Sequence, residues 1–194
     1  MVVVIKYNAG NIHSVVHALR RIGVDPVVTD NKELIRQADK VIFPGVGEAE
    51  TTMNYLKERG LDTLIKSLTQ PVLGICLGMQ LMCKHSEEGD VECLGIFDLP
   101  VKKFIPRNRE KIPHMGWNQV ENLKSDLMKG VTEGNHAYFV HSYYVPLCKE
   151  AIATTNYIEE FASALNKDNF YATQFHPEKS GDVGTKILEN FINL

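Results

Sequence analysis

The chain has 194 residues, of which 44% are hydrophobic, and this is enough to form one domain with a sizeable buried core. Its formal net charge of −3 argues against a protein that binds nucleic acid or an anionic membrane surface. No apolar stretch approaches the ~20 residues of a membrane-spanning helix, and the first residues lack the pattern of a signal peptide. We therefore expect a cytoplasmic protein that forms a single domain over residues 1–194.

The four cysteines stand at irregular spacing, and they are Cys76, Cys83, Cys93 and Cys148. This spacing is not that of a disulfide framework, and no C-x-x-C pair indicates a zinc site. Cys83 follows Cys76 by seven residues on the same predicted helical face, so we interpret it as a core residue. We expect neither a metal ion nor an organic cofactor.

The first part of the chain alternates short apolar runs with amphipathic segments. Strands are predicted at 2–5, 24–29, 40–43 and 72–75. Helices are predicted at 12–22, 31–38, from about 48, at 62–68 and from 77 to about 85. This alternation is typical of a parallel sheet with helices on both faces, in which ligands bind at the carboxyl ends of the strands.

After Gly89 the pattern changes to short β-rich runs, which are typical of antiparallel strands and hairpins. These runs are 101–104, 117–120, 138–145, 151–155, 161–166 and 170–176. A last helix is predicted over 181–193. The sequence therefore predicts one three-layer α/β/α domain with a mixed, largely parallel central sheet.

A Gly-x-Cys-x-Gly motif, formed by Gly74, Cys76 and Gly78, lies where the strand at 72–75 turns into a helix. It is the cysteine version of the nucleophile elbow, in which the central residue is strained and small neighbours let strand and helix approach each other. A sulfur at a helix N-terminus is favoured as a thiolate, and the next backbone N–H, that of Leu77, would face an oxyanion. With 14 Gly and 4 Cys in the chain, chance predicts roughly 0.02 such matches. A buried structural cysteine is the alternative.

A second glycine-rich segment, Pro44-Gly45-Val46-Gly47, follows the predicted strand at 40–43. Taken alone, it is an ordinary loop into the next helix. Because it stands at the carboxyl end of a strand parallel to the elbow strand, its backbone N–H groups could also face a ligand.

One of the seven histidines, His176, has the surroundings of a catalytic base. It ends an apolar strand and is followed by Pro177 and Glu178, and strand-like geometry would place the imidazole and the carboxylate on the same side. A carboxylate there can fix the tautomer of the imidazole and stabilise its charged form. The other histidines lie in predicted helices (His13, His17, His85) or in β-type segments (His114, His136, His141).

Together, these motifs resemble those of the class I, or triad, glutamine amidotransferases, which have a flavodoxin-like fold. More closely, the chain is similar to the glutaminase subunits of imidazole glycerol phosphate synthase, an enzyme of histidine biosynthesis. The residues that carry the closer resemblance are the elbow, Pro44–Gly47, Pro113–Asn118, Tyr138–Tyr143 and Gln174–Ser180.

The resemblance implies a mechanism in which Cys76 attacks the carboxamide of glutamine and His176 transfers the protons. It also implies an oxyanion hole made by the backbone N–H of Leu77 and one from the segment that contains Val46 and Gly47. The implied substrate-binding residues are Gln80, Glu88 and the backbone of Ser142 and Tyr143. Without the resemblance, Gln80 is an ordinary helix surface residue and Glu88 a solvated charge.

The resemblance further implies a partner, a separate cyclase subunit with a (β/α)₈ barrel that receives the ammonia in a heterodimer. Candidate contact residues are Asn11, Trp117, Tyr138 and Lys179. Trp117 is the only tryptophan, and aromatic anchors are common at interfaces, although a core role is the plain alternative.

Three other interpretations remain open at this point. The chain could supply ammonia to a different synthase, such as one that makes pyridoxal phosphate, aminobenzoate or guanine nucleotides. It could be a cysteine-elbow hydrolase or chaperone of the ThiJ/PfpI type, or a non-catalytic binding subunit that keeps the fold.

Overall fold

The computed structural model describes residues 1–7 and 12–194. The expectation that Asn11 contacts a partner lies outside the described residues.

The described residues form strands and helices that follow the predicted alternation closely in the first half. The strands are β1 (Val2–Ile5), β2 (Val27–Thr29), β3 (Lys40–Phe43), β4 (Val72–Ile75), β5 (His85–Ser86), β6 (Val91–Glu92), β7 (Pro100–Lys103), β8 (His114–Gln119), β9 (His136–His141), β10 (Tyr143–Pro146), β11 (Ala151–Asn156), β12 (Glu160–Lys167) and β13 (Phe170–Thr173). The helices are α1 (Ile12–Arg21), α2 (Lys32–Arg36), α3 (Ala49–Glu58), α4 (Leu61–Lys66), α5 (Leu77–Met82) and α6 (Gly181–Ile192).

The central sheet is mixed, as predicted. Strands β2, β1, β3, β4 and β13 lie side by side in this order and are parallel. Beyond β13 the sheet continues through the antiparallel strands β12, β10 and β7 to β5 and β6, while β11 also pairs with β12. Strands β8 and β9 form a separate antiparallel pair.

Both faces of the parallel strands are covered by apolar layers, which is why these strands read as continuous apolar runs. In β1, Val3 and Ile5 belong to one buried cluster and Val4 to the other. In β3, Phe43 and Ile42 divide between the same two clusters. The helices thus enclose the sheet from two sides, which confirms the three-layer α/β/α class.

The register of β4 and β13 brings the two predicted catalytic segments together. Ile75 at the end of β4 pairs with Thr173 at the end of β13. Cys76 follows the first of these strands directly, and His176 follows the second by three residues. Both therefore lie at the carboxyl edge of the parallel sheet, where ligands bind in folds of this type.

Several predicted boundaries are wrong in informative ways. The elbow helix ends at Met82 because Cys83 is already extended (ψ 178°), so His85 lies in the short strand β5 and not in a helix. The run over 138–145 is two strands that break at Ser142, and the second predicted strand begins only at Val27. Among the described residues, no helix is both long and apolar enough to cross a membrane.

Candidate active site

Cys76 stands in the sharp turn between β4 and α5, with φ 53° and ψ −107°, a conformation that is strained for a residue with a side chain. The surrounding glycines leave room for it. A Cβ on Gly78 would lie 2.1 Å from the carbonyl oxygen of Phe43, and one on Gly74 would lie 2.9 Å from Sδ of Met82. The turn therefore has the elbow geometry that the sequence predicts.

A cavity of about 330 Å³ opens over this turn. It is lined by Val46, Gly47, Cys76, Leu77, Gln80, Glu88, Pro113, Val140, His141, Ser142, Tyr143 and His176. Every predicted catalytic, oxyanion-hole and substrate-binding residue except Glu178 thus borders one cavity. A larger cavity of about 840 Å³, near Pro71 and Asn190, contains none of them.

Glu178 lies directly behind His176. Nδ1 of His176 donates a hydrogen bond of 2.8 Å to Oε1 of Glu178, since a carboxylate can only accept, and both side chains are 1% exposed. His176 is extended before Pro177, as expected, and the segment Pro177–Lys179 that follows is a 3₁₀ turn that brings the two groups together.

The charge state of His176 follows from these neighbours. Burial alone lowers the pKa of His176, but hydrogen bonds and charge interactions with Cys76 and Glu178 outweigh burial and raise this pKa to about 10. These neighbours therefore favour the protonated form of the imidazole next to the sulfur.

Gln80 is buried, at 4% exposure, and is not the surface residue of the simpler interpretation. Its Nε2 donates 3.0 Å hydrogen bonds to the carbonyl oxygen of Tyr143 and to Oε1 of Gln174. In turn, Nε2 of Gln174 lies 3.6 Å from Sγ of Cys76. Nothing in the local sequence pattern of Gln174 predicts that its side chain faces the sulfur.

Glu88 lies in the turn after β5, at the edge of the cavity, and is half-buried. Its Oε2 accepts a 3.0 Å hydrogen bond from the backbone N–H of Ala49, the first residue of α3. Burial raises the pKa of Glu88, and the Ala49 hydrogen bond opposes this shift. Glu88 is thus a partly desolvated carboxylate that faces the cavity.

A chain of hydrogen-bonded histidines, which the sequence did not reveal, supports the cavity wall. Nδ1 of His141 donates to the carbonyl oxygen of Tyr143 at 2.7 Å, and Nε2 of His141 accepts from Nδ1 of His114 at 2.9 Å. Nε2 of His114 then accepts from Asn118 at 3.1 Å. Burial lowers the pKa of His114 to about 4 and that of His141 to about 3, so both imidazoles are neutral near pH 7.

Three of the four candidate partner contacts lie together on the outer face of β8 and β9. Trp117 is 57% exposed and packs edge-on against Tyr138, with ring centroids 6.0 Å apart. Nζ of Lys179 lies 5.9 Å from the centroid of the Tyr138 ring. Met115 of the same face is 63% exposed, so this surface is apolar and aromatic. Trp117 is therefore not a core residue.

In the part of the chain that the structure describes, no group of three or more His, Cys, Asp or Glu side chains could hold a metal ion.

Comparison with known proteins defines the class of this chain. The family model described as "Glutamine amidotransferase class-I" matches residues 3–194. The chain therefore belongs to the class I glutamine amidotransferase family and is an enzyme of that class, which confirms the resemblance seen in the motifs.

Three full-length relatives carry one particular name, imidazole glycerol phosphate synthase subunit HisH. The protein of this name from Bacteroides fragilis is 66% identical over 194 residues, which cover 100% of this chain and 99% of the relative. The protein of Bacteroides thetaiotaomicron is 63% identical with the same coverage. That of Pectobacterium atrosepticum is 50% identical over 195 residues, again 100% of this chain and 99% of the relative.

Solved structures confirm the fold. The crystal structure of a glutamine amidotransferase superimposes with a TM-score of 0.76 at 18% identity, and covers 100% of this chain and 98% of its own. A glutamine amidotransferase from Thermotoga maritima superimposes with a TM-score of 0.64 at 18% identity, over 99% and 82% of the two chains.

Proposed function

We propose that this chain is the glutaminase subunit of an imidazole glycerol phosphate synthase and that it hydrolyses glutamine through a triad of Cys76, His176 and Glu178. The observation that carries the proposal is the meeting of Cys76 and His176 in one cavity, with His176 held from behind by Glu178 at 2.8 Å. Full-length relatives of this name at 66%, 63% and 50% identity support the choice of this synthase among the class I enzymes.

In the first half-reaction, the sulfur of Cys76 attacks the carboxamide carbon of glutamine while its proton rests on Nε2 of His176. The raised pKa of His176 favours this thiolate and imidazolium pair. As the tetrahedral intermediate collapses, the imidazolium gives its proton to the leaving nitrogen, which departs as ammonia. A glutamyl thioester on Cys76 remains.

In the second half-reaction, His176 takes a proton from a water molecule that attacks the thioester, and it then returns the proton to the sulfur. Glutamate leaves and the enzyme is regenerated. Glu178 transfers no proton, because its part is to hold the tautomer of His176 and to stabilise the imidazolium.

The oxyanion is stabilised by backbone N–H groups. That of Leu77 is the first of α5, and the first N–H groups of a helix have no partner within the helix. The second donor comes from Val46 or Gly47 across the cavity. This segment touches the elbow closely, since a Cβ on Gly45 would lie 2.5 Å from the backbone nitrogen of Gly78.

Glutamine is held by the polar groups around the cavity. The Glu88 carboxylate suits the α-ammonium group, and the backbone of Ser142 and Tyr143 suits the remainder of the amino-acid part. Both N–H groups of the Gln80 amide are used within the protein, so its carbonyl oxygen is the atom that Gln80 offers to the substrate.

The ammonia then passes to a cyclase subunit, a (β/α)₈ barrel, which closes the imidazole ring of imidazole glycerol phosphate and releases an aminoimidazole carboxamide ribonucleotide. We propose that the two subunits form a heterodimer in the cytoplasm and that this chain contributes one domain over residues 1–194. The outer face with Trp117, Tyr138 and Lys179 is the contact surface. It suits this role because an exposed tryptophan framed by a tyrosine and a lysine is typical of an interface anchor.

The decisive experiment compares two nitrogen sources in the assembled complex with the cyclase subunit. We expect Cys76→Ala to abolish synthesis that depends on glutamine and to leave synthesis from added ammonium salts intact. Cys93→Ala is the matched control, since Cys93 lies outside the cavity, and it should support both reactions.

Two results would contradict the proposal. Glutamine hydrolysis that survives in Cys76→Ala would exclude the triad. Stimulation of glutamate release by a different synthase, with none by the cyclase subunit, would exclude the proposed partner.

A further inference from the structure

The amide of Gln174 is buried beside the catalytic sulfur. Gln174 is 0% exposed, and its side chain lies between those of Gln80 and Cys76. On one side Oε1 is 3.0 Å from Nε2 of Gln80, and on the other Nε2 is 3.6 Å from Sγ of Cys76. A contact of this length is within the range of an N–H group that donates to sulfur.

The hydrogen-bond network fixes which end of this amide faces the sulfur. The carbonyl oxygen of Tyr143 can only accept, so the end of Gln80 that meets it must be the NH₂ group. The same NH₂ group meets Gln174, so the end of Gln174 facing Gln80 must be its oxygen. Hence Gln174 presents N–H groups to Cys76.

The second contact of the sulfur favours the protonated thiol over the thiolate. Sγ of Cys76 lies 3.8 Å from the carbonyl oxygen of Val140, to which only a protonated thiol can donate. When the thiol loses its proton, the Val140 carbonyl faces a negative charge, while the N–H of Gln174 gains a charged acceptor. Between these two groups, it is Gln174 that favours the thiolate.

We propose that Gln174 is a catalytic residue of this enzyme that holds the sulfur of Cys76 and stabilises its ionised form by an N–H donor. Gln80 orients this donor and connects it to the backbone of Tyr143, which forms the wall of the cavity. This inference rests on the proposed function, in which Cys76 is the nucleophile.

Two other titratable groups near the sulfur carry no charge that could stabilise the thiolate. Tyr7 stays neutral because burial and the charge of Cys76 raise its pKa, and His141 stays neutral because burial lowers its pKa to about 3. Glu88 on the cavity rim and His176 with Glu178 are the charged groups that remain. All of these are unchanged when Gln174 alone is replaced.

The test is the pH dependence of alkylation at Cys76 in the full chain, with iodoacetamide as the probe. Only the thiolate reacts, so the midpoint reports ionisation of the sulfur without any turnover of glutamine. Trypsin releases Cys76 and Cys83 on one peptide, residues 67–84, and fragmentation separates the two sites.

Gln174→Met removes the amide at nearly constant length. We expect it to move the midpoint up by about one pH unit, which is about tenfold less thiolate below the midpoint. We also expect kcat for glutamine hydrolysis to fall about tenfold with KM nearly unchanged, since the donor acts on the sulfur and not on the bound substrate. Gln37→Met, on the exposed surface, is the matched control and should leave both quantities as they are.

Gln80→Met is the second variant, and it tests the proposed role of Gln174 if Gln174→Met does not fold. It removes the hydrogen bond that orients the Gln174 amide, so we expect a smaller upward shift of the same midpoint. A folded Gln174→Met with an unchanged midpoint would overturn the inference, as would an unchanged midpoint in Gln80→Met where only that variant folds. Neither result would touch the proposed function, whose own failure is glutamine hydrolysis by Cys76→Ala.

Discussion

His176 and Glu178 share a 2.8 Å hydrogen bond between two side chains that are each 1% exposed. Because water is almost excluded, the negative charge of the carboxylate acts on the imidazole with little screening. The Glu178 carboxylate and Cys76 together keep the pKa of His176 near 10, although burial lowers this pKa. The pair therefore sets both the tautomer and the charge of the residue that moves protons in the proposed mechanism.

We expect Glu178→Gln to lower kcat on the order of 10²- to 10⁴-fold, with a small change in KM. The amide is nearly isosteric but neutral, and its NH₂ group can hold the imidazole in the wrong tautomer. Loss of the carboxylate also lowers the pKa of His176, so the limb of the pH–rate profile that reports His176 should move to lower pH. Steady-state kinetics from about pH 6 to about pH 10 measure both effects. His176→Ala should be worse than Glu178→Gln, and the reverse order would contradict the assigned roles.

Gly78→Ala should damage the fold and the site together. The new Cβ would lie 2.1 Å from the carbonyl oxygen of Phe43, so β3 and α5 would have to separate. We expect a loss of about 3 kcal/mol or more in the free energy of unfolding, measured by urea denaturation.

Gly95→Ala is the matched control for this prediction. Gly95 has φ +69°, and a Cβ added to it would meet no heavy atom within 4 Å, so this variant carries the backbone cost without a clash. We expect a loss of about 1 kcal/mol there. Equal losses in the two variants would contradict the steric explanation.

The neutral histidine pair should make stability depend on pH. The folded-state pKa values of His114 and His141 lie below the ordinary value of 6.5, so the unfolded chain binds more protons in acid. Stability is then complete above about pH 6.5 and falls as the pH drops toward about 4, by roughly 1.4 kcal/mol per pH unit for each histidine.

His114→Asn tests this sign directly. Asparagine keeps an N–H donor for His141 but does not titrate, so the free energy of unfolding should fall less steeply between about pH 7 and about pH 5. His136→Asn changes an exposed histidine of the same strand pair and should keep the wild-type slope. A steeper slope in His114→Asn would show that the imidazole is charged in the folded state.

Trp117→Ala should weaken binding of the cyclase subunit and leave the isolated chain stable. The indole is 57% exposed, so its removal costs the fold little, whereas an aromatic anchor at an interface contributes about 2 kcal/mol or more, roughly thirtyfold in Kd. Titration calorimetry with the cyclase subunit gives Kd. Val28→Ala, on β2 at the far edge of the sheet, is the control, and an equal effect of both variants would exclude this face as the interface.

The sequence predicts the parallel half of the fold well because its strands are buried on both faces and punctuated by clear turns. It fails where tertiary pairing decides. His85 looks helical next to α5, but pairing of β5 with β7 draws it into a strand. The break at Ser142 arises because β9 pairs with β8 while β10 pairs with β7 and β12. The sequence there is one unbroken β-rich run, so it does not predict the break.

For the site, motif spacing predicts the elbow at Cys76, the glycine-rich segment that ends at Gly47, and His176. The family resemblance, and not spacing, implies the substrate-binding residues around the same cavity. Neither predicts the residues that pack behind them. Gln174 and His114 face the site only through the register of distant strands, and neither has a local pattern that distinguishes it from a core or surface residue. Glu178 is an exception because it lies two residues from His176 in the chain.

The backbone at Cys76, with φ 53° and ψ −107°, would suit glycine better than any residue with a side chain. Holding a cysteine there costs about 1–3 kcal/mol that a glycine would not cost. Selection for stability alone would therefore replace the sulfur, and a lineage released from the need for glutamine would drift toward a sturdier, inactive chain. The stability of the fold does not explain a cysteine at this position, whereas a requirement for the chemistry of its sulfur does.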